Sequence, residues 1–198
     1  MASQRRLGAE SSRTRALLIE ATEQLMREEG YVAVSARRVA ERAGLKPQLV
    51  HYYFRSMDEL LLAVFRRFAE RYLVRQEDAL ASDRPVSALW QLYTDTSIAG
   101  IVFEFVALAN HRATVRDEIG RSTEMFRASQ SEELARAMQR VGANMEILEP
   151  SAITLLMLTI STTLMMESGL GVETGHAALK ALVQSHIDKV EGKAGPLA

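Results

Sequence analysis

The chain contains no cysteine, and this absence removes several classes of protein from consideration. Disulfide scaffolds, cysteine nucleophiles and thiolate metal sites all require a thiol. The histidines show neither an HExxH motif nor the spacing of a ligand pair, so we expect no metal site. The sequence also lacks a Gly-x-Ser-x-Gly elbow, a phosphate loop and a dinucleotide fingerprint, and no carboxylate pair stands out. We therefore expect neither an enzyme nor a bound cofactor.

Long uncharged runs are also scarce. One such stretch, 151–166, has 16 residues and is interrupted by five hydroxyl residues. Because about 20 mostly apolar residues are needed to cross a bilayer, we expect a helix buried in protein and no membrane span. The first ten residues are polar and basic, which indicates no secretory signal, and we expect a cytoplasmic location.

Proline occurs only four times, and no run of β-branched residues alternates with polar ones for long. Apolar residues instead recur at helical spacing, which predicts an all-α protein of about nine helices. The predicted spans are 12–29, 36–43, 47–53, 57–81, 85–97, 98–111, 114–141, 150–169 and 174–191. In the break between 142 and 150, Ile147 and Leu148 suggest a loop packed onto the core.

The net charge of −1 hides an asymmetry along the chain. Residues 1–55 carry a net charge of +4 and the remainder carries −5. Binding to a polyanion needs local positive charge, so the basic end is where we expect a nucleic-acid partner. We divide the chain accordingly into a DNA-binding domain, 1–55, and a second helical domain, 56–198.

The segment Ser35–Phe54 predicts a helix-turn-helix. Its two short helices are joined by only three or four residues that include Gly44, which is the geometry of that motif. Ser35 is the candidate N-cap of the first helix, and proline stands at the first position of the second. The apolar side that would lock the two helices together comprises Val39, Ala40, Ala43, Leu45, Val50 and Phe54.

The remaining side chains of the second helix are predicted to point outward, and none is acidic. Gln48 can pair with adenine, and Lys46 with guanine or a phosphate. The aromatic residues can hydrogen-bond phosphates or touch thymine methyl groups, and Arg37 can reach the backbone or a guanine edge. A merely solvated face is the alternative for Lys46, Gln48 and His51. The predicted DNA-binding residues are Ser35, Arg37, Lys46, Pro47, Gln48, His51, Tyr52 and Tyr53, of which Tyr53 is expected to be half-buried.

At these residues the sequence resembles the tetracycline-repressor (TetR) family of bacterial regulators. The matching elements are Leu18–Ala21 through Gly30–Tyr31, then Ser35–Gly44, Lys46–Phe54 and Ser56–Leu60. The resemblance covers about residues 12–65, and the rest of the chain matches only in length and helical layout. Such proteins usually carry a phosphate-binding lysine just after the position of Ser56, where this chain has Met57. Either Arg55 replaces that lysine or the N-terminus of the fourth helix acts alone.

The resemblance implies a two-fold dimer built from the last two long helices. Segment 152–166 has apolar residues on nearly every face, and a helix of that kind is buried on all sides. This agrees with the expected dimer. The helix 47–53, which would read the bases, is called the reading helix. The two reading helices of a dimer would lie about 34 Å apart, so the operator should be an imperfect palindrome. A monomer core is the alternative explanation.

The middle helices are where an inducer, expected to be a hydrophobic small molecule, would bind. Glu104 interrupts the apolar run 101–108, although an exposed edge or a salt bridge would also explain it. For the large apolar residues, ordinary core packing is the competing interpretation. The candidate ligand-binding residues are Trp90, Tyr93, Phe103, Glu104, Met125, Phe126 and Met157.

The function expected is therefore that of a repressor which binds a palindromic operator as a homodimer and is released by a ligand. A ligand-dependent activator of the same fold is one alternative. A helical adaptor that binds other proteins is another, and it would not need the surface formed by 46–53.

Overall fold

The computed structural model describes residues 2–142 and 149–191, with the backbone alone for residues 2–11. The described residues form nine α-helices and no strand, which confirms the all-α prediction. The helices are α1 Ala2–Glu29, α2 Ala36–Arg42, α3 Pro47–Tyr53, α4 Met57–Ala81, α5 Pro85–Tyr93, α6 Ala99–His111, α7 Ala113–Arg140, α8 Pro150–Gly169 and α9 His176–Glu191. Two 3-10 turns, Tyr31–Ala33 and Thr96–Ile98, complete the order. The predicted loop at Ile147 and Leu148 lies outside the described residues.

Three helix boundaries differ from the prediction by more than one residue. The first helix begins at Ala2 and not near residue 12, since its polar opening residues carry no apolar stripe to mark them as helical. The fifth ends at Tyr93 and not at 97, because the Thr94 hydroxyl donates to the Trp90 carbonyl at 2.8 Å and Asp95 caps a new turn. The last begins at His176, after Gly175 takes φ = +87°.

The chain forms two compact units, each made of more than one stretch of sequence. Unit 1 comprises Met1–Glu70 and Gly100–Gly120, and unit 2 comprises Arg71–Ala99 and Arg121–Ala198. Residues 100–120 thus group with the N-terminal helices. The division at residue 55 drawn from charge and pattern stays a prediction.

Unit 1 has its own hydrophobic core. α1, α2, α3 and α4 contribute most of it, and α6 adds Ile101, Phe105 and Leu108. The Phe105 ring packs edge-on against Phe65 of α4, with 5.3 Å between the ring centroids. The core of unit 1 is therefore complete only when the residues of α6 are present.

Unit 2 has a second core, to which α5, α7, α8 and α9 contribute. One side of α8 is buried in it through Ile153, Met157 and Leu164. By length and composition α8 could cross a membrane, and a third of its most apolar window is buried inside the structure. Within the single chain, α8 is thus buried in protein on one side, and its other side is exposed.

Candidate nucleic-acid interface

The turn between α2 and α3 is fixed by backbone bonds that end α2 sharply. Gly44 adopts φ = +67°, its N–H donates to the Glu41 carbonyl at 3.1 Å, and the Leu45 N–H reaches back to the Ala40 carbonyl at 2.8 Å. This pair of bonds is a Schellman motif, which requires a left-handed residue after the helix. At the other end of α2, the Ser35 hydroxyl accepts from the Arg38 N–H at 3.4 Å, as an N-cap does.

The predicted apolar side of the motif is buried. Val39, Ala40, Val50 and Phe54 are each 0–1% exposed and belong to the core of unit 1. Leu45 packs against the same core. The side chain of Ala40 is small enough for the two helices to approach closely, and Val50 and Phe54 fix the rotation of α3 about its axis.

That rotation leaves the predicted DNA-binding residues on the outside of α2 and α3. All are exposed apart from Tyr53, which is half-buried and packs against the core as expected. Tyr52 has 76% of its surface exposed, and its ring meets that of Tyr53 edge-on at 5.0 Å. No acidic side chain belongs to α3. The predicted residues thus lie exposed on α2 and α3, and the one acidic residue of these two helices is the exposed Glu41, one turn after Arg37.

Ion pairs separate the basic residues of this region into two groups. Arg38 bonds Glu29 at 2.5 Å and Arg42 bonds Glu28 at 2.7 Å, so both guanidinium groups tie α2 to the end of α1. The Arg38 guanidinium lowers the pKa of the Glu29 carboxyl by its hydrogen bond. In the described part of the chain, Arg37 and Lys46 form no ion pair. Among the basic residues of α2 and its turn to α3, Arg37 and Lys46 are thus available to a phosphate or a base.

The start of α4 shows what stands in place of the missing lysine. The Ser56 hydroxyl accepts from the Glu59 N–H at 3.2 Å, and the Glu59 carboxylate accepts from the Arg55 N–H at 2.8 Å. This reciprocal pair is a capping box displaced by one residue. Met57 is half-buried against the core, whereas the exposed Arg55 side chain forms no ion pair within the described residues. Arg55 is therefore the free cation nearest to this helix start.

The candidate ligand-binding residues fall into both units. Trp90, Tyr93 and Met157 lie in the core of unit 2, each no more than 4% exposed. In the same unit Phe126 is half-buried and Met125 is 69% exposed. Phe103 and Glu104 are half-buried residues of unit 1. Their assignment to a ligand site stays a prediction.

Two buried polar atoms of unit 2 belong to Tyr93, which the sequence analysis names as a ligand-binding candidate, and to Gln76, which it does not name. Within the described residues, neither the Tyr93 hydroxyl nor the Gln76 side-chain oxygen has a hydrogen-bond partner. Gln76 is 2% exposed, and burial raises the pKa of the Tyr93 phenol well above its usual value. Unpaired buried polar atoms are costly, and a ligand can supply their partners. No sequence pattern marks Gln76, which looks like an ordinary polar residue of α4.

Residues of α5, α8 and α9 line a groove in unit 2. Its volume is about 260 Å³ and its lining is almost wholly apolar. The exposed side chains beside it include Leu156 and Leu182, which are 51% and 56% exposed. Such a surface on a single chain favours burial against another protein surface.

Comparison with known proteins identifies the N-terminal helices. Residues 18–64 match the model of the family described as bacterial regulatory proteins, tetR family. The HTH-type transcriptional regulator BetI of Rhizobium meliloti (strain 1021) is 32% identical over 77 residues, which are 39% of this chain and 36% of that protein. The matched segment thus spans about a third of the length of the curated relative.

Solved structures share the fold over nearly the whole chain. A TetR-family transcriptional regulator from Rhodococcus sp. superposes with a TM-score of 0.73 at 20% identity, over 91% of this chain and all of that one. A transcriptional regulator from Saccharomonospora viridis, solved in complex with choline, superposes with a TM-score of 0.72 at 18% identity. That match covers 92% of this chain and 97% of the other.

Proposed function

We propose that this chain is a TetR-family transcriptional regulator, which binds a palindromic operator as a homodimer and is released by a small molecule. The observation that carries the DNA-binding part is the surface of α2 and α3. Arg37 is exposed on α2, and Lys46 and Gln48 are exposed at the start of α3; in the described residues no carboxylate pairs with either cation. A DNA-binding regulator accounts for this surface without any catalytic step.

The roles within that surface follow from chemistry and position. Gln48 and Lys46, at the start of α3, are proposed to read base edges, because amide and ammonium groups match adenine and guanine in the major groove. Ser35, His51, Tyr52 and Tyr53 are proposed to bond phosphates and so set the register. Pro47 lies beside them as the first residue of α3. Arg37 and Arg55 supply the positive charge next to the helix.

A homodimer is supported by the outer side of α8. Thr159, Thr162 and Thr163 are exposed, yet each hydroxyl donates to a carbonyl four residues earlier, at 2.8, 2.7 and 3.2 Å. Their outer surface is therefore effectively apolar and continues the surface of the exposed leucines. We propose that a second copy of the chain covers it together with the groove of α8 and α9. Two copies of α3 related by a two-fold axis would bind the two half-sites of a palindrome.

The ligand proposal rests on unit 2. A mostly apolar molecule that displaces part of the packing around Trp90 and Met157 could also bond the Tyr93 hydroxyl. α4 begins at Met57, directly after the reading helix, and continues into unit 2. A ligand that favours a shifted α4 would change the separation of the two reading helices and release DNA. The cytoplasmic location expected from sequence and the choice of repressor over activator belong to the same proposal.

The test of DNA binding uses the DNA that flanks the protein's own gene. Footprinting should reveal a palindromic protected site, and the affinity should fall steeply as the salt concentration rises, since phosphate contacts release counterions. An adaptor protein would give no salt-sensitive complex with any DNA fragment. For the ligand, the single tryptophan is a built-in probe, because binding near Trp90 should change its fluorescence. A library of apolar small molecules can be screened by that signal and then by release of the operator.

A further inference from the structure

The side chain of Glu104 interrupts an otherwise apolar stretch of α6, and it lies in unit 1 with the reading helices. Its Oε2 accepts a hydrogen bond from the Tyr31 N–H at 2.6 Å, across 73 residues of sequence. The two carboxylate oxygens lie 3.5 and 3.6 Å from the place where a Cβ on Gly30 would stand. The carboxylate is thus seated directly against the backbone between α1 and α2.

This bond supplies what the local sequence lacks. The turn Tyr31–Ala33 begins after Gly30, which has no side chain to cap it. The first N–H groups of any helical turn have no partner inside the turn, and a side-chain oxygen normally provides one. Here the oxygen comes from α6. Ser35 caps α2 only two residues after the turn ends, so the bond lies close in sequence to the start of α2.

Other contacts hold the end of α6 to the same region. The Tyr31 ring stacks on that of His111, with 6.3 Å between the centroids. Arg112 forms an ion pair with Asp58 in the first turn of α4, and the Thr114 hydroxyl donates to the same carboxylate at 2.9 Å. Exposed ion pairs such as this one contribute little, whereas a half-buried backbone N–H that loses its acceptor costs more. Glu104 is therefore the contact whose loss should matter most.

We propose that Glu104 is a positioning residue for operator binding, which acts as a remote N-cap for the turn 31–33 and so holds α2 and α3 in the DNA-binding arrangement. This inference rests on the proposed function, and it assigns to Glu104 a role different from that of a ligand contact. The bond needs a side chain as long as glutamate that ends in an acceptor oxygen. It does not need the negative charge.

Three substitutions of Glu104 separate the effect of side-chain length from the effect of its negative charge. Glu104→Gln keeps an oxygen at the same reach and should leave operator affinity within about threefold of the original. Glu104→Asp keeps the charge but is one methylene shorter, and Glu104→Leu removes the acceptor. Both should weaken binding by about tenfold, as expected when a half-buried backbone donor loses its acceptor. Glu118→Leu is the matched control, since it removes a carboxylate of the same unit that pairs with Arg66.

Amide hydrogen exchange of Tyr31 gives a readout independent of DNA. The Tyr31 N–H should be protected in the original chain, Glu104→Gln and Glu118→Leu, and should exchange faster in the other two variants. If the original chain binds DNA but Glu104→Asp binds equally well, or if only Glu104→Gln is weakened, the positioning role is overturned. If the original chain binds no DNA while Tyr31 is protected as described, the proposed function fails and the capping contact stands. Because Glu104→Asp is a small change, the comparison survives even if Glu104→Leu does not fold.

Discussion

Nearby residues of α3 have different surroundings because one side of this short helix is buried and the other is exposed. Val50 is buried and holds the helix, while Gln48 and His51 on either side of it are exposed. Tyr53 lies between these cases, with its ring against the core. The role of each residue at the interface thus depends on which side of α3 it occupies.

Substitution of Gln48 should therefore change the sequence preference of DNA binding, whereas substitution of Tyr53 should change the affinity for all sequences. Gln48→Ala is expected to relax the preference for one base, at a cost of about 1–3 kcal/mol on the preferred site and little on others. Tyr53→Phe removes only the hydroxyl that we propose to bond a phosphate, and it should weaken binding to all sequences alike. Binding to a set of operators with single base changes, measured at one salt concentration, distinguishes the two patterns. Equal loss on every sequence from both variants would contradict the assigned roles.

A second residue-scale prediction concerns Asp95 in unit 2. The Ser97 hydroxyl and then the Arg75 guanidinium, 2.6 Å away, lower the pKa of the Asp95 carboxyl from 3.8 to about 2. The stabilisation this brings is present above pH 4 and is lost as the pH falls toward 2. Asp95→Asn should thus lower the free energy of unfolding by about 1–2 kcal/mol at pH 7, allowing for the partial exposure of Arg75.

Urea denaturation of the original chain and Asp95→Asn at several pH values tests this. The difference between the two should shrink steadily below pH 4. Asp83→Asn is the control, because Asp83 is exposed and forms no ion pair in the described chain. A difference that stays constant down to pH 3 would contradict an electrostatic cause.

Some residues of the site were predictable from sequence and others were not, for a physical reason. Ser35, Gly44 and Ser56 act on neighbours within a few positions, so local pattern reveals their roles. Glu104 could be singled out as an acidic residue in an apolar run. Its partner is a backbone N–H that lies 73 residues earlier, and a backbone group leaves no mark in the sequence.

At the scale of the elements, helix ends were predicted best where glycine supplies the stop. Gly30 and Gly44 both end helices with positive φ, as expected. The end of α5 was misplaced, since it depends on the Thr94 hydroxyl bonding its own helix. The start of α1 was misplaced because polar residues without an apolar stripe give no periodic signal.

The two glycines should differ in their tolerance of a side chain. Gly44 has φ = +67°, and a Cβ added there would meet nothing within 4 Å, so Gly44→Ala should cost only about 1–2 kcal/mol of backbone strain. Gly30 has φ = +81° and ψ = 161°, a region that is nearly exclusive to glycine, and the Glu104 carboxylate lies against it. Gly30→Ala should cost about 2–3 kcal/mol and also speed amide exchange at Tyr31. Thermal and urea unfolding of both variants measures the order, and equal costs would contradict it.

At the scale of the whole molecule, the exposed leucines of α8 and α9 lead to a prediction about assembly. Leu156→Glu and Leu182→Glu each place a charge in the proposed dimer contact, where burial of an unpaired charge is strongly unfavourable. The original chain should have the mass of a dimer by light scattering, and both variants should shift toward monomer and lose operator affinity. Val74→Glu is the matched control, since Val74 is an equally exposed apolar residue of α4, at 57%. A monomeric original chain that still binds a palindrome would contradict the dimer proposal.

The grouping of residues 100–120 with the N-terminal helices limits how this regulator can be recombined with others. A hybrid that takes only residues 1–70 from this chain would inherit a reading helix whose core lacks Ile101, Phe105 and Leu108, and a turn whose remote cap at Glu104 is missing. We expect such a hybrid to bind operator DNA poorly, and a second hybrid that also carries residues 100–120 to recover binding. The transferable DNA-binding module is thus an interleaved set of two segments, which a single crossover between two genes cannot exchange.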